Sequence, residues 1–260
     1  MSSSETLTQR LLSLNVPLWT EATQDPFLEQ AGKGTLEKSV LEKWLRSDRA
    51  YARAYVRFAG RVIAEIAKVL GQGGKGGEGD IVEGTLDLFL DALVNVRKEL
   101  KFFEDVATRY YLDLSSNEEE EGVEDGVRMY RELFEEVSDF DGEEGKEGIS
   151  GVVGILQPLV LLWGTEKCYL EAWRFAASFT SHDHQNLDSN NEDADGGALR
   201  KEFIPNWTSD EFAAFVQRIE GVVEEVWECV PVEKRQLLGG EMERLWERIL
   251  RVEGAFWPRI

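Results

Sequence analysis

The sequence has little of the chemistry that builds disulfide frameworks or holds metal ions. Its 260 residues include two cysteines, Cys168 and Cys229, and two histidines, His182 and His184. Neither cysteine stands in a metal-binding or redox spacing, so we interpret both as reduced thiols. The histidines lie in a polar stretch, and no Glu-x-x-His pair occurs in the chain. We therefore expect no metal, no haem and no other cofactor.

Basic charge is scarce as well. The chain has 29 lysines and arginines against 50 aspartates and glutamates, which gives a net charge of −21. Because so acidic a protein lacks a broad basic surface, neither nucleic acid nor anionic lipid is expected as a partner. The first residues contain no apolar signal-peptide core, and no apolar run reaches the length of a membrane span. The sequence thus predicts a cytoplasmic protein with no membrane segment.

Four segments are poor in apolar residues and are predicted to be flexible loops. They lie near residues 71–80, 115–126, 139–149 and 180–198; the first is rich in glycine, and the others are acidic or polar. Such segments offer few apolar atoms to offset the entropy cost of ordering. The first also contains a formal GxGxxG motif, but a predicted helix precedes it where a nucleotide site requires a strand. Apart from these loops, residues 1–260 are predicted to form a single domain.

Long stretches with apolar residues at the 3.6-residue helical period fill most of the remaining chain. Helices are predicted over residues 35–70, 81–112, 127–137, 151–178, 210–229 and 232–257. The alternation typical of strands persists nowhere, and no internal repeat occurs. The predicted fold class is therefore all-α, with the helices packed pairwise into a bundle.

Three of the predicted helices carry a carboxylate on their apolar stripe. Asp48, Glu166 and Glu253 each face inward among aromatic neighbours, and Glu99 borders the stripe of a fourth helix. An unpartnered buried charge is costly, and few basic residues share these stripes. The acids are therefore candidate functional residues, with a structural ion pair as the alternative for each. Carboxylates among aromatic walls suit a flat, weakly basic heterocycle with N–H donors.

Five segments of the chain carry a resemblance to a known family, namely TEATQDPFLEQAGKGTLEKSVLEKWLRSD (Thr20–Asp48), ELKFF (Glu99–Phe103), LLWGTEKCYLEAW (Leu161–Trp173), NWTSDEF (Asn206–Phe212) and VEGAFW (Val252–Trp257). Found in the expected order, they resemble the TenA family of thiaminase II-like proteins, which have the haem-oxygenase-like helical fold. The closer resemblance is to the branch in which a glutamate replaces the active-site cysteine. The resemblance implies an all-α, single-domain helical bundle of this type and a homo-oligomer.

The resemblance also implies roles for individual residues. Glu166, at the position of the family's cysteine, and Glu253, near the C-terminus, would be the catalytic residues. Asp48 would hold the amino group and a ring nitrogen of a pyrimidine. The other members of the predicted substrate-binding site are Tyr51, Glu99, Trp163, Tyr169 and Phe256.

The function predicted by this resemblance is that of a thiamin-salvage hydrolase. It would act on an aminopyrimidine breakdown product of thiamin and release hydroxymethylpyrimidine or its amino precursor. The alternative is a non-catalytic protein that binds a small heterocycle or takes part in assembly on the same fold. Convergence of Glu166 and Glu253 in one enclosed pocket would favour the enzyme.

Overall fold

The computed structural model describes residues 5–71, 77–115, 125–140, 151–180 and 193–260, and these residues form helices and connections without any strand. The all-α class predicted from the sequence is therefore confirmed. A 3₁₀ turn at Gly151–Ile155 and a π-helical turn at Leu199–Phe203 interrupt the series of α-helices. In chain order the α-helices are α1 (Leu7–Ser13), α2 (Val16–Thr23), α3 (Pro26–Lys33), α4 (Lys38–Gly71), α5 (Gly77–Tyr110), α6 (Asp125–Val137), α7 (Leu156–Ser178), α8 (Ile204–Trp207), α9 (Asp210–Glu228) and α10 (Val232–Phe256).

Three short helices open the chain, and local sequence explains where each begins. Thr6 caps α1 in a capping box with Gln9, which satisfies two backbone N–H groups at once. Pro17 and Pro26 stand in the first turns of α2 and α3, where the missing N–H of proline has no cost. The start of α1 is also bound to α9, because the Glu224 carboxylate accepts hydrogen bonds from its first backbone N–H groups. These contacts anchor the N-terminal helices to the bundle.

The two longest helices, α4 and α5, pack along each other and supply one wall of the molecule. The rings of Phe58 and Phe89 meet between them, with centroids 6.1 Å apart. Helix α5 begins at Gly77, so the loop predicted near 71–80 is too long at its C-terminal end. The acidic Glu78 and Asp80 lie in the first turn of α5, where negative charge complements the helix dipole.

Helix α7 lies at the centre of the bundle and contacts α2, α3, α9 and α10. Every residue from Leu159 to Thr165 is buried, which explains why this part of the sequence is apolar on all sides. The predicted helix 151–178 differs from the structure at its start, since Gly151–Ile155 forms a 3₁₀ turn. Two glycines and two valines in this turn weaken α-helix formation.

Two glycines let α6 and α7 approach α10 closely. A Cβ atom added at Gly126 of α6 would lie 2.6 Å from the Cα atom of Phe256. At Gly164 of α7, an added Cβ would lie 2.9 Å from the side chain of Ile249. Real Cβ atoms do not approach other atoms this closely. At Gly126 the contact is with backbone, so a side chain there would force α6 and α10 apart, whereas at Gly164 the Ile249 side chain would have to shift. The crossings set the position of Glu253, which α10 carries between α6 and α7.

Residues 193–198 correct the prediction of a flexible loop over 180–198. The buried Asp195 carboxylate accepts hydrogen bonds from the backbone N–H groups of Gly197 and Leu199, at 2.8 and 2.7 Å. The backbone N–H of Ala194 donates to the carbonyl of Gly34 at 2.9 Å. This end of the segment is therefore ordered by specific hydrogen bonds. His182 and His184 lie outside the described residues.

None of the described helices combines the length and the apolar composition that crossing a bilayer requires.

Candidate active site

A cavity of about 340 Å³ lies between α4, α5, α6, α7, α8, α9 and α10. Its volume suits one small ring with a few substituents. Four helices each contribute one buried or half-buried carboxylate to the lining: Asp48 from α4, Glu99 from α5, Glu166 from α7 and Glu253 from α10. The exposed Glu211 of α9 also lines it. Acids that are far apart in the sequence therefore face one internal space, as their positions on the apolar stripes predict.

Three of the other residues predicted for substrate binding also line the cavity, namely Tyr51, Tyr169 and Phe256. The eighth predicted residue, Trp163, does not, and its assignment to the site is corrected here. Trp163 is fully buried in the core, where its ring stacks on Trp246 with centroids 5.3 Å apart. It lies three residues before Glu166, but the stretch Leu159–Thr165 of α7 is buried on all sides, so an inward position there does not imply a position at the cavity.

Tyrosine hydroxyls hold the two predicted catalytic carboxylates. The hydroxyl of Tyr55 donates a hydrogen bond to Oε1 of Glu166 at 3.0 Å. The hydroxyl of Tyr130 donates to Oε1 of Glu253, which is buried, with 2% of its surface exposed. Each carboxylate thus has one oxygen fixed by a neutral donor, which leaves the second oxygen able to face a ligand.

The other two carboxylates are held in the same way by different aromatic donors. The hydroxyl of Tyr169 donates to Oδ2 of Asp48 at 3.1 Å, and the indole N–H of Trp207 donates to Oε1 of Glu99 at 2.6 Å. Asp48 is buried, whereas Glu99 is half-buried because it borders the cavity. Neutral donors orient all four acids without neutralising any of them.

None of the four carboxylates forms an ion pair with a residue that the structure describes. The one basic residue among the cavity-lining positions is Lys98, whose side chain is exposed. The structural ion pair considered as the alternative for these acids is therefore not formed by the described part of the chain. Nor do the described acids, cysteines and histidines come together in a group that could hold a metal ion.

Burial of these carboxyls raises their pKa values towards or above neutrality. Desolvation raises the pKa of Glu166 to about 8, helped by the nearby charge of Glu99 and opposed by the hydrogen bond from Tyr55. Desolvation also raises the pKa of Glu253 to about 8, although the bond from Tyr130 lowers it. The pKa of Glu99 rises to about 7 for the same main reason. At neutral pH these groups can therefore both give and take protons.

The pKa of Asp48 is raised well above its usual value as well. Desolvation is the largest cause, and the charge of Glu99 is the next. The hydrogen bond from Tyr169 acts in the opposite direction because it stabilises the ionised form. In the empty cavity Asp48 is thus an acid that would gain from a bound N–H donor or cation.

Aromatic rings form most of the remaining wall. The ring of Tyr51 lies 4.6 Å from that of Tyr130 and 5.7 Å from that of Phe256, measured between centroids. On the opposite side, the rings of Tyr169 and Trp207 meet edge-on at 5.1 Å. Such walls pack against the faces and edges of a planar heterocycle.

Several lining residues were not predicted as site residues from the sequence. Tyr130 stands on the short helix between two acidic segments, and Trp207 belongs to the one-turn helix α8, where no periodicity can be read. Tyr55 lies on the same helix stripe as Asp48, one turn after Tyr51. Of these residues, it is the one whose place in the site could have been predicted from the sequence. Phe212 and Phe215 of α9 also line the cavity, although their period suggests ordinary core residues.

The fold is an all-α bundle like that of TenA homologues of known structure. The chain superposes on a TenA homologue from Pyrococcus furiosus with a TM-score of 0.69 and 20% identity, covering 96% of this chain and 98% of that one. A TenA homologue from P. horikoshii matches with a TM-score of 0.66 and 15% identity, over 97% and 96% of the two chains. A third structure, described as a TenA family transcription regulator from a Silicibacter species, matches with a TM-score of 0.64 and 13% identity, over 99% and 97%.

A sequence relative adds a different kind of similarity. The chain is 26% identical over 243 residues to a protein of Fusarium pseudograminearum named as a probable transcription factor. The match covers 85% of this chain but 45% of that protein, so the chain spans less than half the length of its curated relative. No family model matches the chain. The structural neighbours therefore define the fold, whereas a function has to be proposed from the site itself.

Proposed function

We propose that this protein is a C–N hydrolase that acts on an aminopyrimidine breakdown product of thiamin. The product would be hydroxymethylpyrimidine or its amino precursor. One observation carries the proposal: Glu166 and Glu253 face the same cavity, each held by a tyrosine hydroxyl and each with a pKa of about 8. A structural role would not require two protonated acids to share a cavity with aromatic walls.

The two glutamates can divide acid and base roles between them. The charge of Glu166 raises the pKa of Glu253, so loss of a proton from one makes loss from the other harder. The ionised member takes a proton from water, and the water oxygen bonds to the carbon that carries the amine. An amine that binds in its neutral form takes a proton from the protonated member as the C–N bond breaks, whereas an amine that binds as the ammonium ion already carries that proton. Ammonia leaves in both cases. The roles of the two residues are interchangeable in this scheme.

Asp48 has the position and surroundings needed to orient the ring. Its buried carboxylate keeps one oxygen for a ligand, because Tyr169 binds the other. A protonated ring nitrogen and an adjacent amino group match a carboxylate as paired donors. The rings of Tyr51 and Phe256 would then pack against the pyrimidine.

The test is to incubate the purified protein with a panel of aminopyrimidines and to measure ammonia and hydroxymethylpyrimidine. Glu166→Gln and Glu253→Gln should each lower kcat about 10²-fold or more, the scale of general acid–base catalysis. Glu104→Gln, at an exposed position on α5, is the matched control and should retain full activity. Absence of turnover by the unaltered protein over the whole panel would contradict the proposal.

A second candidate is a domain that binds a small heterocycle without turnover, inside a longer regulatory protein. The observation that favours it is the curated relative, which is named as a probable transcription factor and is more than twice as long as the matched part. Calorimetry decides between the two candidates, because tight binding of an aminopyrimidine without ammonia release supports the second. That the protein forms a homo-oligomer stays a prediction, which sedimentation analysis can test.

A further inference from the structure

Glu99 is a half-buried cavity carboxylate for which the proposed reaction has no role. Asp48 suffices for the ring, and Glu166 and Glu253 suffice for proton transfer. Yet Glu99 lines the same cavity from α5, with Oε1 bound to the Trp207 indole and no basic partner in the described structure. Its second oxygen is therefore available to a ligand.

The contacts of Trp207 fix the direction in which Glu99 points. The Trp207 ring stacks on Trp173, with centroids 4.8 Å apart, and on Phe203 at 5.3 Å. Tyr169 meets the same ring edge-on at 5.1 Å. An indole packed on three sides cannot follow a moving carboxylate, so the hydrogen bond of 2.6 Å holds Glu99 in one orientation.

The charges around Glu99 are unfavourable in the empty cavity. Asp48, Glu166 and Glu253 share the cavity with it, the exposed Glu211 adds a further carboxylate, and the exposed Lys98 is the one basic residue of the described lining. Glu99 contributes the largest charge effect on the pKa values of both Asp48 and Glu166. A fourth acid in this position destabilises the empty protein, whereas a bound cation would be stabilised by all four.

We propose that Glu99 is the counter-ion for a protonated amino group of the ligand, so that the cavity selects an aromatic ammonium ion over the neutral alcohol of the same shape. The pyrimidine identity of that ligand rests on the proposed function, but the charge selection does not. If both hold, the cavity favours the cationic substrate over the uncharged product, which assists product release. Aromatic ring faces in the wall add to the attraction for a cation.

Calorimetry with two matched ligand pairs tests this selection. The first pair is the aminomethyl and hydroxymethyl forms of the pyrimidine, and the second is benzylammonium and benzyl alcohol, which contain no pyrimidine. The unaltered protein should bind each ammonium ion more tightly than its alcohol. Glu99→Gln should weaken ammonium binding about 10- to 100-fold, the range for hydrogen bonds to charged groups, and should leave alcohol binding unchanged within about 2-fold. Glu104→Gln, on the exposed face of the same helix, is the control and should change neither.

A second measurement does not depend on the folding of the variant. In the unaltered protein, the preference for benzylammonium over benzyl alcohol should increase from pH 6 to pH 8, because the pKa of Glu99 is about 7 and those of Glu166 and Glu253 are about 8, while benzylammonium keeps its charge. The part of this increase that Glu99→Gln removes is the part that comes from Glu99. A third measurement uses Glu99→Asp, which returns a carboxylate at a shorter reach and should therefore recover part of the ammonium preference that Glu99→Gln loses.

The outcomes separate this inference from the proposed function. Hydrolysis of aminopyrimidines together with unchanged ammonium affinity in Glu99→Gln would overturn the counter-ion role and leave the hydrolase proposal standing. Selection of benzylammonium that depends on Glu99, without binding of any pyrimidine, would support the counter-ion role and overturn the hydrolase proposal. Failure of both ligand pairs to bind would overturn both.

Discussion

The pH dependence of stability offers a direct test of the buried Glu253 carboxyl. Replacing Glu253 with glutamine keeps the side-chain shape and an acceptor for Tyr130 but removes the ionisation. In the unfolded chain this carboxyl titrates near 4.5, whereas burial raises its pKa in the folded protein to about 8. Between these values the folded state holds a proton that the unfolded state has lost.

The sign of the effect follows from this difference. The cost of Glu253 to folding is absent below about pH 4.5, grows as the pH rises towards 8, and reaches its full value above pH 8. Each pH unit in this range lowers the free energy of unfolding by about 1.4 kcal/mol at most. Between pH 6 and pH 8 the carboxyl therefore lowers it by about 2 kcal/mol in total. For a domain of this size that corresponds to a Tm lower by about 4–8 °C.

The assay is thermal and urea denaturation of the ligand-free protein at several pH values from 6 to 8. The free energy of unfolding of the unaltered protein should fall as the pH rises along this series. That of Glu253→Gln should fall by about 2 kcal/mol less. Glu233→Gln changes an exposed residue of the same helix, so its curve should run parallel to that of the unaltered protein. Equal slopes for Glu253→Gln and the unaltered protein would refute the reasoning, because Glu253 would then be ionised in the folded state throughout this range.

Three further predictions concern the residues that position the site. Tyr130→Phe removes the donor to Glu253, so Tm should fall by an amount equivalent to about 1–2 kcal/mol, and the pH–rate profile should shift upwards because the ionised form loses its hydrogen bond. Gly126→Ala should destabilise the protein by about 1–3 kcal/mol through the clash with Phe256, whereas Gly84→Ala, at an open helical position, should stabilise it by up to about 1 kcal/mol; denaturant titration measures both. Trp163→Phe should lower Tm yet leave ligand affinity in calorimetry unchanged, since Trp163 lies outside the cavity lining, and a loss of affinity would return it to the site.

The convergence of Asp48, Glu166 and Glu253 could be predicted because helical periodicity reports which residues face inward. The same rule fails for Trp163, since a helix buried on all sides has inward positions that face the core as well as inward positions that face the cavity. Periodicity measures burial and carries no information about which neighbour a buried side chain meets.

The parts of the site that were missed depend on contacts between distant segments. Tyr130 reaches Glu253 because Gly126 lets α6 cross α10 closely, and a lone glycine in a sequence does not reveal its partner. Trp207 reaches Glu99 from a helix of four residues, which is too short to show a period. The ordered residues 193–198 were likewise hidden, because their polar composition resembles a loop although Asp195 binds the backbone.

The four carboxylates of the cavity also bear on how such a chain changes over evolutionary time. Each acid reduces the stability of the empty protein, so substitutions by glutamine or by apolar residues would be favoured wherever stability alone is selected. A lineage that no longer used the cavity would therefore be expected to replace its acids with neutral or apolar residues, and to become more resistant to heat as it did so. Carboxylates at all four positions in a homologous sequence would then indicate that the cavity is still in use.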